Sequence, residues 1–391
     1  MTAAELRASL SLASVFALRL FGMFVILPVF ALWADGRPGW SLTLVGMALG
    51  AYGLTQALLQ FPFGWLSDRR GRKPVIYLGL VMLAAGSFVC ALAETPAMVI
   101  LGRILQGAGA ISATVMAMAA DLTRESQRTK SMAIIGSTIG AVFAISFVAG
   151  PVLMHAVGVP GIFATTGVLA LVAIAVVRFI VPAQPTSAPS VSRIPTMSLL
   201  RSPELARLNV GIFALHAVLM ALFIVVPVAL ARSGLAASSH GWVYLGTVFA
   251  GFVLVLPVIA RRGTQRERPV FLGAIAAVAL GVAILALRLD SFWMICAGLV
   301  IFFAGFNVLE AKLPALVSRA APREARGAAT GVYSSVQFLG TFFGAASGGA
   351  VAQHAGFVTV LVCCLAVTAG WFAVAWNMGE FLPAAAPASR T

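Results

Sequence analysis

Twelve long apolar runs, separated by short gaps that hold most of the charged residues, constrain the fold of this chain more than any other feature of its sequence. A helix needs about 20 apolar residues to cross the hydrocarbon core of a bilayer, and each run is close to that length or longer. Only 10% of the 391 residues are Asp, Glu, Lys or Arg, so the chain cannot cover itself with a water-compatible surface. We therefore predict an all-α integral membrane protein with twelve transmembrane helices.

The predicted helices fall into two sets of six, separated by a stretch rich in proline and serine that cannot form a spanning helix. We predict an N-terminal six-helix bundle at 1–182, a cytoplasmic linker at 183–206, a C-terminal six-helix bundle at 207–380 and a cytoplasmic tail at 381–391. The apolar runs are 9–34, 41–66, 74–93, 97–120, 128–154, 160–181, 207–231, 240–260, 269–288, 292–318, 326–353 and 356–380.

The two halves also resemble each other in sequence. Residues 60–75 align without gaps with residues 255–270 at an offset of 195, and a second alignment sets Arg128 against Arg326. Parallel duplication of a six-helix unit is typical of secondary transporters, whose substrate site lies near the membrane midplane between the halves. The sequence therefore predicts two pseudo-symmetric six-helix bundles with a site between them.

The basic residues indicate how the chain threads the membrane. Of the 26 Lys and Arg residues, twenty fall in gaps on one side of a twelve-pass chain and three on the other. Since cytoplasmic loops carry the excess of basic residues, this bias predicts that both termini and the linker are cytoplasmic. The formal net charge of +14 then reflects topology and gives no reason to expect a nucleic-acid partner.

One gap departs from this simple pattern. Between the second and third runs the sequence GWLSDRRGRKP places an acid, Asp68, among four bases, and the topology explains the bases but not the acid. A carboxylate at this place can be stabilised by about 0.3 to 1 kcal/mol at a neighbouring helix N-terminus, and it can pair with a guanidinium. The gap therefore predicts a specific contact made by Asp68.

Three stretches of the sequence resemble motifs of the major facilitator superfamily. The first is the gap just described, the second is LGRILQGAGA around Arg103, and the third is the pair Gly150 and Pro151, which matches the core of the antiporter motif. Met154 and His155 stand where glycines usually close that motif. The resemblance covers the whole chain and is closest to the bacterial YajR-like branch of drug/proton antiporters, whose additional C-terminal soluble domain we expect this chain to lack.

The resemblance implies the major facilitator fold, a location in a bacterial-type inner membrane and a conformational latch. In the family, the acid of the signature loop holds the two halves together in the outward-open state by engaging the start of the eleventh helix. Carried over to this chain, Asp68 engages the region of Arg326 while Arg72 turns toward Asp121. The residues implied in this latch are Gly64, Asp68, Arg69, Gly71, Arg72, Asp121, Arg128 and Arg326.

Ionisable residues lie inside several of the predicted spans. An ionisable group in hydrocarbon costs at least about 2.5 to 3.5 kcal/mol on insertion scales, so each of them is a hypothesis of function. The resemblance implies that helices 1, 4, 7 and 10 line the central cavity, and these runs carry Arg19, Arg103, His216 and Glu310 respectively. We expect Glu310, the only acid well inside a run, to carry a proton, and His216 to take part in its transfer.

Structural alternatives stay open for each of these residues. Glu310 can simply pair with Lys312 or His216, and His216 can be a hydrogen-bonded packing residue. Arg103 can clamp the first helix through backbone carbonyls or take part in a proton relay, and Arg19 can face an anionic substrate, a lipid headgroup or Glu310. Further candidates for substrate contacts are Gln56, Asn307, Tyr333 and Gln337.

These features predict a secondary active transporter that works by alternating access, with proton-coupled efflux of lipophilic or drug-like compounds as the leading function. The alternatives are proton-coupled or facilitated transport of a small polar or anionic metabolite and, in a different class, a non-transporting membrane sensor. We expect no enzymatic activity, because the four His and four Cys offer no cluster of nucleophile, base or metal ligands. The expected partners are a small-molecule substrate, protons and the lipid bilayer, with no cofactor, no metal and a monomeric state.

Overall fold

The computed structural model describes residues 1–182, 202–260, 267–322 and 325–378. Residues 183–201 of the predicted linker and the whole predicted tail lie outside these ranges. Within them the regular structure is helical, with one short 3-10 helix at Ala237–Ser239. The α-helices are α1 (Ala3–Phe24), α2 (Leu27–Ala34), α3 (Leu42–Arg70), α4 (Arg72–Ala91), α5 (Pro96–Ala108), α6 (Ser112–Asp121), α7 (Glu125–Phe179), α8 (Pro203–Arg232), α9 (His240–Ala260), α10 (Glu267–Leu287), α11 (Phe292–Ala320) and α12 (Arg326–Trp376).

The described residues contain ten helical spans that are long and apolar enough to cross a membrane. The pairs α1 with α2 and α5 with α6 each form one span. A straight helix of the 55 residues of α7 would measure about 80 Å, far more than the roughly 30 Å of hydrocarbon. The backbone leaves helical geometry at Gly158 (φ 69°), as α12 does at Gly356 (φ 82°), in conformations that favour glycine. Each long helix therefore supplies two of the twelve predicted runs, and the predicted all-helical membrane fold is confirmed.

The internal repeat is visible in how glycines bring helices together. In the first half, a Cβ added to Gly102 of α5 would lie 2.7 Å from the carbonyl oxygen of Gly86 on α4. In the second half, a Cβ added to Gly281 of α10 would lie 2.7 Å from the carbonyl oxygen of Gly298 on α11. Gly281 follows Gly86 by the 195 residues of the sequence repeat. Both halves thus use small residues to let the same pair of helices approach closely.

The N-terminus and several ion pairs lie at one end of the bundle, which we call the basic end. There Arg72 pairs with Asp121 at 3.1 Å in the first half, and Arg319 pairs with Glu267 at 2.7 Å in the second half. Each of these pairs lies within one half. The opposite end holds the connection between α2 and α3 and the glycine turns of α7 and α12.

The two halves touch most closely at the opposite end, where α3 and the first part of α12 run antiparallel. The Leu42 amide donates a hydrogen bond to the Gln353 side chain at 2.9 Å. A Cβ added to Gly46 would overlap the Ala345 carbonyl oxygen, and one added to Gly53 would lie 2.8 Å from a carbonyl oxygen of α12. This contact between two backbones closes the opposite end.

Toward the basic end the contact between α3 and α12 loosens. A Cβ added to Gly331 would meet only the ring of Phe61, at 3.5 Å, and one added to Gly64 would meet no atom within 4 Å. The backbones of α3 and α12 are in contact at the opposite end, only a side chain bridges them at Gly331, and no contact remains at Gly64. The halves therefore diverge toward the basic end.

Candidate functional site

Four polar side chains meet between α8, α11 and the first part of α12, and we call Glu310, His216, Gln337 and Tyr333 the C-half polar cluster. The Nε2 atom of Gln337 lies 2.8 Å from Nε2 of His216 and 3.5 Å from Oε1 of Glu310. The Nδ1 atom of His216 lies 3.3 Å from the Ile212 carbonyl oxygen, which fixes the ring. Tyr333 stands one turn before Gln337 on the same face of α12 and is near enough to Glu310 for an electrostatic interaction. The structure thus brings together four of the residues that the sequence singled out.

Glycines on α12 bring Gln337 against α8. A Cβ added to Gly340 would overlap the Phe213 carbonyl oxygen, and one added to Gly344 would overlap the carbonyl oxygen of Ala217. Because α8 is buried along most of its length, His216 is only 9% exposed. The hydrogen bond between Gln337 and His216 is therefore supported by contact between two backbones, which gives the cluster a fixed geometry.

Two buried polar atoms of the cluster have no hydrogen-bond partner: Oε2 of Glu310 and the hydroxyl oxygen of Tyr333. An unpaired buried polar atom costs about 1 to 3 kcal/mol, and native proteins pair nearly all such atoms. Among the described residues, none of the ion pairs includes Glu310, although Lys312 is only two residues away on α11. The Glu310 carboxyl is therefore placed to receive a proton or a group of a bound ligand.

An aromatic cluster joins the two halves. It lies between the polar cluster and the closed end of the bundle, which is the end opposite the basic end. Phe143 of α7 stacks on Phe306 of α11 with ring centroids 6.3 Å apart, and the Phe306 ring lies 6.2 Å from the His216 ring. The apolar rings separate the polar cluster from the closed end of the bundle. The members of the aromatic cluster are Phe143, Phe147, Phe223, Tyr244, Phe303 and Phe306.

Arg19 is bound inside the first half. Its guanidinium is 1% exposed and donates to the Gly109 carbonyl oxygen at 3.3 Å, to the Ser112 hydroxyl at 2.8 Å and to the Gln56 side chain. Gln56 in turn donates to Gln60 at 3.0 Å. Because Gly109 and Ser112 flank the break between α5 and α6, Arg19 fastens α1 and α3 to that break. It does not contact the C-half polar cluster.

Arg103 is a clamp within the first half. Its guanidinium is 2% exposed and donates to the Ala48 carbonyl oxygen at 3.2 Å and to Gln106 at 2.8 Å. It also lies 4.9 Å from the centroid of the Tyr52 ring. Gln106 donates to Ser87 at 2.8 Å, which extends the network to α4. The carbonyl that Arg103 binds belongs to α3, whereas the sequence hypothesis placed such a clamp on the first helix.

Two other candidate positions make contacts with neighbouring backbones. Asn307 donates to the Val248 carbonyl oxygen at 3.4 Å and so ties α11 to α9. Gly150, followed by Pro151, lets α7 approach the break between α1 and α2, since a Cβ on Gly150 would lie 2.6 Å from the Val25 carbonyl oxygen. These residues serve helix packing in the state that the structure describes.

The residues of the signature loop bind within the first half. Asp68 pairs with Arg72, which also pairs with Asp121 at 3.1 Å. Gly71 has a φ of 90° and joins α3 to α4 in a conformation that favours glycine. Beside it, Arg69 lies 4.1 Å from the centroid of the Trp65 ring. Arg72 thus binds both Asp68 and Asp121 in this structure.

The start of α12 lies free of Asp68. Arg326 is exposed there, and the N-cap residue, Ala325, makes no side-chain capping hydrogen bond. Arg128 donates to the Ala120 carbonyl oxygen at 3.2 Å within the first half. Among the described residues, no hydrogen bond joins Asp68 to α12. The contact between Asp68 and the start of α12, which the resemblance assigns to the outward-open state, is therefore not formed in this structure.

Several residues of these networks were missed by reasoning from the sequence. Gln60, Ser87 and Phe147 lie among apolar neighbours, and nothing in the local pattern distinguishes them. The spacing of Phe143 and Phe147, four residues apart and so on one helix face, was an available signal. It gained meaning only when the structure placed rings from α8, α9 and α11 opposite them.

Comparison with known proteins agrees with this architecture. The sequence model of the Major Facilitator Superfamily matches residues 12–345 and 208–387. The inner membrane transport protein YajR of Escherichia coli K12 is 41% identical over 387 residues, covering 97% of this chain and 85% of YajR. The multidrug resistance protein MdtH of Aeromonas salmonicida A449 is 24% identical over 342 residues, covering 86% of this chain and 85% of MdtH.

A solved structure also shares the fold. The nucleoside transporter NupG matches with a TM-score of 0.75 over 95% of this chain and 100% of that chain. The sequence identity is 13%, so this likeness concerns the fold alone. Together with the family match, it shows that this chain belongs to the major facilitator superfamily and is a multi-pass membrane transporter, not an enzyme.

Proposed function

We propose that this protein is a proton-coupled secondary transporter that works by alternating access, with Glu310 as the group that carries the proton. The observation that carries the proposal is the buried, unpaired Oε2 atom of Glu310. Burying a charged carboxylate costs more free energy than burying the neutral acid. Exposure of the site to water on either side of the membrane therefore changes the ratio of the charged to the neutral form of Glu310. The divergence of the halves toward the basic end supplies one of these exposures.

We propose efflux of lipophilic or drug-like compounds as the transported class. The aromatic cluster gives the site apolar walls, and Glu310 gives it one ionisable group. A relative named as a multidrug resistance protein supports this class. Transport of an anionic metabolite drew its support from Arg19 and Arg103, but both guanidiniums are buried and bonded within the first half.

The test is proton movement in proteoliposomes under an imposed pH gradient. Lipophilic compounds and then small polar metabolites are added, and the lumenal pH is followed with a fluorescent dye. We expect a lipophilic compound to evoke proton flux in the wild type and Glu310→Gln to reduce that flux at least about tenfold, because the amide cannot carry the proton.

The matched control is Glu94→Gln, which makes the same change at an exposed loop residue. We expect it to retain the flux of the wild type. Equal compound-evoked flux in the wild type and in Glu310→Gln would show that the proton travels elsewhere. Absence of evoked flux with every compound would favour a facilitator without proton coupling or a non-transporting sensor.

We also propose that the basic end faces the cytoplasm, which makes the structure an inward-open state. The twenty-to-three distribution of basic residues supports this orientation, and the contact at Gly46 closes the other side. In the outward-open state we propose that Asp68 leaves Arg72 and caps the start of α12, where Ala325 supplies no cap of its own. We also propose the monomer as the transport unit.

A further inference from the structure

Two cations lie close together at the basic end, where the start of α4 meets the end of α7, and we call Lys73 and Arg178 the α4–α7 basic pair. The Nζ atom of Lys73 donates to the Val181 carbonyl oxygen at 2.7 Å, just beyond the end of α7. Arg178 stands in the last turn of α7 and is near enough to Lys73 for an electrostatic interaction. The fold therefore holds two like charges beside each other.

The basic pair has no acidic partner among the residues that the structure describes. None of the ion pairs there includes Lys73 or Arg178, and the acid nearest to Lys73 in the sequence, Asp68, binds Arg72. An ammonium has three N–H donors and a guanidinium has five, whereas Val181 supplies one acceptor to Lys73. The pair therefore has both the charge and the donors to bind an anion.

The internal repeat shows that the contact with the helix end does not require the second cation. In the second half, Arg268 of α10 donates to the Trp376 carbonyl oxygen at the end of α12. These two residues follow Lys73 and Val181 by the 195 residues of the sequence repeat. A single cation stabilises a helix C-terminus, and Ala373 stands where the repeat would place the second one. The first half thus carries a cation beyond what this contact needs.

Exposed apolar side chains lead from the basic pair toward the middle of the membrane. The second part of α7 packs on α4, since a Cβ added to Gly167 would lie 2.9 Å from the Phe88 ring. Leu78 of α4 is 44% exposed, and Leu171 of α7 is 49% exposed. Each lies roughly 7 to 10 Å along its helix from the cation at the end, at 1.5 Å per residue. The pair is therefore placed where a phospholipid headgroup joins its acyl chains.

We propose that the α4–α7 basic pair binds the phosphate of an anionic phospholipid in the leaflet at the basic end. The phosphate oxygens accept hydrogen bonds from Lys73 and Arg178 and offset the repulsion between the two cations. The acyl chains lie against the exposed apolar side chains of α4 and α7, in the way that basic pockets between spanning helices hold anionic lipids. The site lies within the first half and does not depend on the proposed proton coupling.

The test measures which lipids the full-length protein retains. The protein is reconstituted in vesicles that contain equal amounts of phosphatidylglycerol and phosphatidylcholine, extracted in mild detergent and examined by native mass spectrometry. We expect the wild type to retain phosphatidylglycerol in preference to phosphatidylcholine. Arg178→Ala should reduce this preference about fivefold, because one basic residue near an anionic lipid contributes roughly that factor. The Lys73 contact stays in this variant, as the equivalent contact of Arg268 does in the second half.

The matched control is Lys130→Ala, which removes an exposed cation from another part of the basic end. We expect it to keep the lipid preference of the wild type. Arg178→Glu places a carboxylate beside Lys73 and should abolish the preference, which keeps the test decisive if Arg178→Ala folds poorly. An equal loss in Lys130→Ala, or an unchanged preference in both Arg178 variants, would overturn the inference.

Inorganic phosphate distinguishes a lipid headgroup from a free anion. We expect millimolar phosphate to leave phosphatidylglycerol bound to the wild type, because free phosphate lacks the acyl chains that contact α4 and α7. Displacement of the lipid by phosphate would show that the basic pair takes a free anion, and would overturn the assignment to a phospholipid.

Discussion

Replacing Gly46 with leucine is expected to slow transport at least about tenfold, because it prevents closure of the opposite end. Even a Cβ at this position would overlap the Ala345 carbonyl oxygen and would lie 3.1 Å from the Cα atom of Gly349. Both obstacles are backbone atoms, so α3 must separate from α12 to admit the side chain. Overpacking of this kind costs about 1 to 3 kcal/mol or more. At about 3 kcal/mol, the population of the state with the opposite end closed falls roughly 100-fold relative to the other state.

The experiment measures compound transport in proteoliposomes together with the accessibility of the opposite end to a membrane-impermeant reagent. We expect Gly46→Leu to remain open at the opposite end and to turn over at least about tenfold more slowly than the wild type. Gly246→Leu is the matched control, because a Cβ on Gly246 would meet no atom within 4 Å. Transport at the wild-type rate by Gly46→Leu would show that the contact between α3 and α12 is not needed for the cycle.

Asp68→Asn is expected to shift the population the other way, toward the state that the structure describes. In this state Asp68 pairs with Arg72 and its side chain is 40% exposed, so its contribution here is screened by water. In the other state we propose that its charge lies at the uncapped start of α12. Such an interaction is worth about 0.3 to 1 kcal/mol, and up to about 2 kcal/mol when partly buried. The expected loss of the outward-open population is therefore about twofold to thirtyfold.

Spin labels placed across the halves at the basic end report this population directly. We expect Asp68→Asn to lose the shorter of the two distances while its affinity for substrate within each state stays unchanged. Asp290→Asn is the control, since Asp290 is an exposed acid that pairs with Arg288. An unchanged distance distribution in Asp68→Asn would contradict the proposed latch.

The sequence predicted the fold because spanning helices obey simple rules of length and polarity. Apolar runs of about 20 residues are a local property of the sequence, and the helical spans of the structure agree with them. The two longest helices were correctly divided in the prediction, because glycine with a proline two residues later marks the turn at Gly158 and glycine marks the turn at Gly356. The sequence similarity of the two halves, at an offset of 195 residues, indicated that they are equivalent. The close glycine contacts between α4 and α5 and between α10 and α11 show the same equivalence.

The spacing along single helices placed some of the candidate residues near one another, but it could not set the directions of the others. The four-residue spacing of Tyr333 and Gln337 put both on one face of a helix, and the structure places Gln337 3.5 Å from Glu310. The contacts of Arg19 and Arg103 could not be predicted in this way, because the helical period does not indicate which neighbouring helix a given face packs against. Both arginines turn into the first half, where broken helices offer carbonyl oxygens. Only the tertiary packing supplies that information.

The central claim is that protonation of Glu310 drives the exchange between the two states. The most direct test places spin labels at Glu125 and Ala320 across the basic end, and at Glu94 and Asp290 across the opposite end, in a variant that lacks the native cysteines. We expect the two distances of the wild type to change in opposite senses when the pH is lowered, and those of Glu310→Gln to stay fixed. An identical pH response in Glu310→Gln would contradict the account.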